Sequence, residues 1–456
     1  MANLIGDMAR AVGLPRLKRA AGVVTRRLPI PQPLLMVGPG ASLRLAQALA
    51  DFGHKKVFVV TDAVIVKLGL LQPVLDTLDA AGAAYVVFDT VTPDAPIPVI
   101  ESGIARYTAE GCDALLAFGG GSVMDAAKVI GLAAANRKHP RELVGYFKGL
   151  RAPPPIYAVP TTAGTGSEVT VAAVISDPET HLKLVVADTR LVPRMAALDP
   201  ALMTGLPAPI TAATGMDALT HAVEAYIGEW GTPYTDRMAL AAVAMIYRHL
   251  PRACAKPGDL VAREQMALAS TYAGLAFTRA NVGNVHAIAH QLGGRYGTPH
   301  GLANAIVLPA VLHWCGAAVQ AKLATLAVRA GVGEAGEDEA ELAQRFVASV
   351  ADMNRAVGIP AELAALRPDD IPALARAACA EADANYPVPL VMSTTACESL
   401  LLGLLPDKPK PAPRRRAAKA TTKVAKTAAG KTAKTTKARS PKPRNPLNRR
   451  TSPATG

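Results

Sequence analysis

A chain of 456 residues with 50% hydrophobic residues can bury a large core and is expected to divide into more than one domain; with aromatics at 4%, packing rests on Ala, Leu and Val. The formal net charge of +13 belongs to the ends: residues 407–456 hold 16 Lys or Arg and one acidic residue, residues 1–30 hold six and one, and the stretch between keeps 27 basic and 34 acidic residues, a net of −7. Five scattered cysteines (Cys112, Cys254, Cys315, Cys379, Cys397), odd in number and without C-x-x-C spacing, argue against a disulfide framework and for free thiols in a reducing compartment, and no apolar run reaches the length expected of a membrane span.

Residues 1–30, MANLIGDMARAVGLPRLKRAAGVVTRRLPI, are basic and amphipathic, with Pro15 interrupting any long helix. They lack the continuous apolar core of a secretory signal, so an organellar targeting peptide and a variable extension stay open, and the expected location is the cytoplasm. From about 31 to 206, strand-like runs at 57–60, 85–88, 114–118, 156–159, 184–186 and 196–198 alternate with helical or glycine-rich segments, the pattern of an α/β layer.

Three loops in this half carry polar chemistry. In KKVFVVTDAVIVKLG, Asp62 stands just past a strand end, where a carboxylate can accept from a ribose diol and repel a 2′-phosphate, or simply cap the next helix. In CDALLAFGGGSVMDAAKVIGLAA, an apolar run breaks at Gly119, Gly120, Gly121 and Ser122 and an amphipathic helix follows over 123–134. Glycines admit a diphosphate close to the backbone, and the free N–H groups and positive end of the helix dipole stabilise it. The G-x-G-x-x-G spacing is absent, and Ser122 with Asp125 also fits a capping box. In PIYAVPTTAGTGSEVTVAAVIS, Thr161, Thr162, Thr165 and Ser167 interleave with glycine, which suits ribose, phosphate or amide groups but also describes an ordinary polar loop.

From about 207 to 405 the pattern changes to long Ala/Leu helices such as DRMALAAVAMIYRHL, a helical domain. Within it lie GMDALTHAVEAY and NVHAIAHQLGGRYGTPHG. The helical period places Asp217 with His221, and His286 with His290, one turn apart on one face. His300, between Pro299 and Gly301, is expected from a loop or a helix start. Three of nine histidines fall within fifteen residues, so chance clustering is a poor account; three imidazoles and a carboxylate suit iron(II) or zinc with an exchangeable oxygen ligand. HAIAH has the outer spacing of a zinc-protease helix, but Ala287 stands where a Glu base is needed, which disfavours peptide hydrolysis.

Taken in order, TDA, GGGSVMDAAK, PTTAGTGSE, GMDALTHAVEAY and NVHAIAHQLGGRYGTPHG make the chain resemble the iron-containing (group III) alcohol dehydrogenases from about residue 34 to 405. The resemblance implies NAD(P) in an N-terminal α/β dinucleotide-binding domain (31–206), a divalent metal in an all-helical C-terminal domain (207–405), the reaction in the cleft between, and a homo-oligomer. Carried over by residue, the metal ligands would be Asp217, His221, His286 and His300, with His290 a non-ligand beside them. Asp62 would lie at the adenosine ribose, Gly121 and Ser122 at the diphosphate, Thr161, Thr162, Thr165 and Thr170 around the cofactor, and Lys183 at the nicotinamide ribose. Asp94 stands where members commonly carry the Asn of Pro-Asn-Pro, and an Asn-Pro-Arg run is altered to Asn385-Tyr386-Pro387-Val388.

The expected reaction interconverts an alcohol and its aldehyde or ketone, with hydride passing from a metal-bound alkoxide to NAD, NADP being less favoured by Asp62. Metal coordination lowers the pKa of bound water from about 16 to about 7, roughly 12 kcal/mol. His290 is the candidate proton relay, or else a hydrogen-bond partner that orients a ligand. Rival readings are a glycerol or polyol dehydrogenase, a dehydroquinate-synthase-like enzyme and, from another class, a polyanion-binding protein acting through its tail. That tail, 406–456, is rich in Lys, Ala, Thr and Pro, is expected to be disordered, and suits either loose contact with nucleic acid or solubilisation.

Overall fold

The computed structural model describes residue 22, residues 27–180 and residues 182–406; the expectations for the N-terminal extension up to residue 26, Gly22 aside, and for the tail from residue 407 lie outside the described residues. Short apolar runs form the strands β1 (Leu34–Val37), β2 (Val57–Val60), β3 (Tyr85–Phe88) and β4 (Ala114–Gly119). After the two-residue β5 (Gly145–Tyr146) come β6 (Ile156–Pro160), β7 (Ala172–Asp177), β8 (Leu182–Ala187) and β9 (Met195–Leu198). Six of them pair in parallel in the order β1-β9-β6-β4-β2-β3. β2, β4, β6 and β9 are buried along their whole length, which explains their unbroken apolar sequences: helices cover both faces.

The two faces are separated by the strand period. Val57 and Val59 join Leu45 and Leu49 of α1 (Ala41–Asp51), Ile65 of α2 (Ala63–Lys67) and Leu78 of α3 (Gln72–Ala80). Phe58 and Val60 join Ile100 of α4 (Ile97–Glu110) and Val129 and Ile130 of α5 (Gly121–Asn136). From β2 the chain moves outward to β3, returns to β4 and then continues on the other side to β6. The carboxyl ends of β2 and β4 therefore flank a topological switch point, the usual crevice for a ligand in an open α/β sheet.

The last strand ends at Leu198, and from Ala208 the chain is helical: α6 (Ala208–Ile227), α7 (Pro233–Ala255), α8 (Leu260–Ala280), α9 (Asn284–Tyr296), α10 (His300–Cys315), α11 (Gln320–Ala330), α12 (Glu339–Ala356), α13 (Ile371–Asn385) and α14 (Thr394–Leu402). α6 is buried almost all round and lies against α7, α8 and α10. Small residues permit this: a Cβ on Gly215 would come within 2.3 Å of Leu250, and one on Gly301 within 2.3 Å of the Ala213 carbonyl oxygen. The last contact sets the first turn of α10 directly on α6.

Three expectations are corrected. The run at 184–186 is part of β8, which pairs antiparallel with β7 and parallel with β5 in a separate three-stranded sheet rather than in the main layer. The capping box at Ser122 does not form: the N-cap of α5 is Gly120, with no side-chain cap, and Asp125 is drawn instead to Ser167 and the Val174 amide. Within the 31-residue stretch His300–Ala330 an 18-residue window has mean hydropathy 1.7, so the stretch is long and apolar enough to meet the composition of a membrane span. Its apolarity follows from packing, since α10 runs between α6, α9 and α12 and a 3-10 turn at Gly316–Val319 separates it from α11.

Candidate metal centre

α6, α9 and the first residue of α10 converge. One donor atom from each of Asp217, His221, His286 and His300 lies within 4.8 Å of every other. Asp217, His221 and His286 are buried, whereas the His300 side chain keeps 35% of its surface exposed, so the cage opens on that side. Each ring is held from behind. His221 stacks on Phe277, with ring centroids 4.2 Å apart, and His286 lies 4.6 Å from His221. His286 places Nδ1 2.6 Å from the buried Glu224 carboxylate, which also accepts from the amides of Gly283 (2.9 Å) and Val285 (2.7 Å). A proton kept on Nδ1 leaves the Nε2 lone pair for the cage.

Asn304, one turn beyond His300 on α10 and fully buried, donates from Nδ2 to Asp217 (2.7 Å) and lies 3.1 Å from His300 Nε2 and 3.2 Å from His286 Nε2. Burial lowers the pKa of His221, and lowers that of His286 further, the neighbouring imidazoles adding to the effect; both are held neutral, the form a metal ligand must have. Burial pushes Glu224 up to about 7 against the pull of its backbone donors. Neutral imidazoles with a buried carboxylate facing no side-chain cation at ion-pair distance among the described residues fit a divalent cation.

His290 stands beside this cage and is not part of it. Its ring stacks on His300 with centroids 5.3 Å apart, and Nδ1 lies 2.6 Å from Glu381, which also accepts from Gln291 and Tyr386. A cavity of about 360 Å³ adjoins it, lined among others by Lys183, His290, Gln291, Arg295, Asp370 and Glu381.

The cofactor candidates gather at the sheet's carboxyl edge. Gly121 opens α5 close enough to the Thr161–Gly166 loop that an added Cβ would come within 2.6 Å of Thr165. Ser122 accepts from the Asp94 amide at 3.0 Å; Asp94, at φ 69°, is ion-paired with Lys183. Thr161 is buried and its amide is bonded to Gly119, while Thr162 lies beside Gly120. Thr170 is set apart from the open cleft, buried with its hydroxyl against Lys128. Asp62 caps α2 through one oxygen, accepting from Val64 (2.8 Å) and Ile65 (3.0 Å).

Sequence reasoning passed over Glu224, Asn304, Glu381 and Lys128. Helical spacing from His221 and from His300 was available as a signal for the first two. Glu381 and Lys128 acquire their partners only through the fold.

Sheet, glycine loop and histidine cage together put a crevice of the kind that binds dinucleotides and a candidate metal site in one fold. The family profile for iron-containing alcohol dehydrogenases matches residues 33–200, and that for the C-terminal part of Fe-containing alcohol dehydrogenases matches residues 211–402. The chain belongs to the iron-containing alcohol dehydrogenase family. It is 40% identical over 351 residues to the 1,3-propanediol dehydrogenase of Klebsiella pneumoniae, covering 76% of this chain and 91% of that protein. It is 38% identical over 346 residues to the NAD-dependent methanol dehydrogenase of Bacillus methanolicus (75% and 91%). The crystal structure of a 1,3-propanediol oxidoreductase superposes with a TM-score of 0.79 at 38% identity, covering 82% of this chain and 98% of that one.

Proposed function

We propose that the protein is a metal-dependent, NAD-linked alcohol dehydrogenase that interconverts a small alcohol and its aldehyde or ketone. The observation that carries this reading is the convergence of Asp217, His221, His286 and His300 within 4.8 Å beside a sheet edge lined with glycine loops. An iron(II) ion, or zinc as the alternative, held by those four groups would act as a Lewis acid on the alcohol oxygen. Gly121 and Ser122 receive the diphosphate at the N-terminus of α5, Thr161, Thr162 and Thr165 line the adjoining wall with Thr170 behind it, and Asp62 takes the ribose diol through the oxygen not engaged in the cap. Lys183, steadied by Asp94, addresses the nicotinamide ribose. His290 keeps its Nδ1 proton against Glu381 and passes a proton from the cleft toward solvent.

A short diol is the second reading, favoured by the polar side chains lining the adjoining cavity. The division into 31–206 and 207–405 belongs to the same proposal, as do a homo-oligomeric state, a cytoplasmic location supported by five free cysteines, and loose contact of residues 407–456 with polyanions. The test is NADH production against a panel of alcohols after reconstitution with each cation. His286→Ala is expected to lose bound metal and activity together, and full activity in a metal-free His286→Ala protein would reject the ligand assignment.

A further inference from the structure

Lys128 sits inside α5 with none of its surface exposed, on a helix that is otherwise apolar at its buried positions. Among the described residues no carboxylate lies at ion-pair distance from its ammonium. It donates instead to five oxygens of one short segment: the Ser167 carbonyl (2.7 Å) and hydroxyl (3.0 Å), the Thr170 carbonyl (3.0 Å) and hydroxyl (3.0 Å), and the Ala172 carbonyl (2.9 Å). Three protons shared among five oxygens form a shell like that around a desolvated monovalent cation. Burial lowers the lysine pKa to about 8, with Asp125 and Glu168 opposing the shift at longer range. Keeping a charge in such a place is costly unless the polar shell is complete.

The five oxygens belong to the segment that follows the Thr161–Gly166 loop, and the lysine belongs to the helix that begins at Gly121. That segment also grips the helical half of the molecule: Thr271 donates to Glu168 at 2.6 Å, the Val171 amide donates to Thr278 at 3.0 Å, and a Cβ on Gly166 would come within 2.8 Å of Gly274. We propose that Lys128 is a positioning residue for the dinucleotide, an internal cation that pins residues 167–172 to α5 so that both cofactor loops keep one register. The inference rests on the dinucleotide reading above.

The test compares wild type with Lys128→Met, which keeps the length of the side chain and removes its donors. Two readouts are taken: the dissociation constant of NADH by fluorescence titration, and amide hydrogen exchange of residues 161–172 in the cofactor-free protein. The expected result is an NADH dissociation constant raised at least tenfold and exchange of that segment accelerated at least tenfold, with bound metal after reconstitution and the exchange of α9 and α10 unchanged. Wild-type affinity and exchange in the variant would overturn the proposal, as would protection lost evenly across the protein, the mark of a merely structural role. If Lys128→Met does not fold, Lys128→Ala refolded in ammonium chloride decides: recovery of NADH affinity in ammonium but not in lithium chloride at equal ionic strength upholds the pin, and no recovery overturns it. Failure of the wild type to bind NADH would remove the dinucleotide reading, while the exchange comparison still reports on the pin.

Discussion

Glu224 is a buried carboxylate that accepts from two backbone amides and faces His286 Nδ1, so it does two things: it closes the turn before α9 and fixes the tautomer of a cage imidazole. Replacing it with glutamine keeps the shape and weakens the charge-assisted bond. Glu224→Gln is expected to weaken cation affinity about 10- to 100-fold, measured by competition with a chelator, the usual cost of losing the group that orients a metal ligand. An unchanged affinity would show that α9 alone orients His286. Asp62 uses one carboxylate oxygen for both hydrogen bonds of the helix cap. Asp62→Gly is expected to cost only a few tenths of a kcal/mol as a cap and to raise NADP⁺ use relative to NAD⁺; an unmoved coenzyme ratio in steady-state assays would assign Asp62 to capping alone.

At the scale of elements, the cage is made by three helices whose relative placement depends on residues without side chains. Spacing along the chain already put Asp217 over His221 and His286 over His290, because a helix repeats every 3.6 residues whatever surrounds it. That His300 joins them depends on α10 meeting α6 at Gly301, where a Cβ would lie 2.3 Å from the Ala213 carbonyl. Gly301→Ala is therefore expected to push the start of α10 away, costing about 1–3 kcal/mol of stability and lowering metal content; a variant with wild-type melting temperature and full occupancy would show that the helices can slide without opening the cage. Strands were less legible than helices. β1, β5 and β7 escaped the sequence reading, since β5 is two residues long and β7 is half-buried and polar in places, and β8 was placed in the wrong sheet. Pairing partners come from chain segments far away, and no local pattern names them.

For the whole molecule, charge and chemistry are separated along the chain. The site residues nominated from sequence run from Asp62 to His300 and the partners added by the fold reach Glu381, while residues 407–456 hold 16 of the 49 basic residues and one acidic residue. Ending the chain at residue 406 changes the formal net charge from +13 to −2. Such a protein is expected to keep its alcohol oxidation rate and metal content but to lose retention on DNA or heparin; for the full chain that retention should fall by roughly 10³ or more between 50 and 200 mM salt. Equal retention of the two proteins would place polyanion contact on the folded body.

The sequence alone determined the α/β-then-helical order, the glycine loop at a helix start, the i, i+4 histidine pairs and the family, because these depend on short-range periodicity and on residue chemistry. Only the tertiary structure decided that donors of Asp217, His221, His286 and His300 converge, that Asn304, Glu224 and Glu381 support the rings around them, and that Lys128 ties α5 to residues 167–172. A buried donor or acceptor must find its partner wherever the fold brings one, and here those partners lie tens of residues away along the chain.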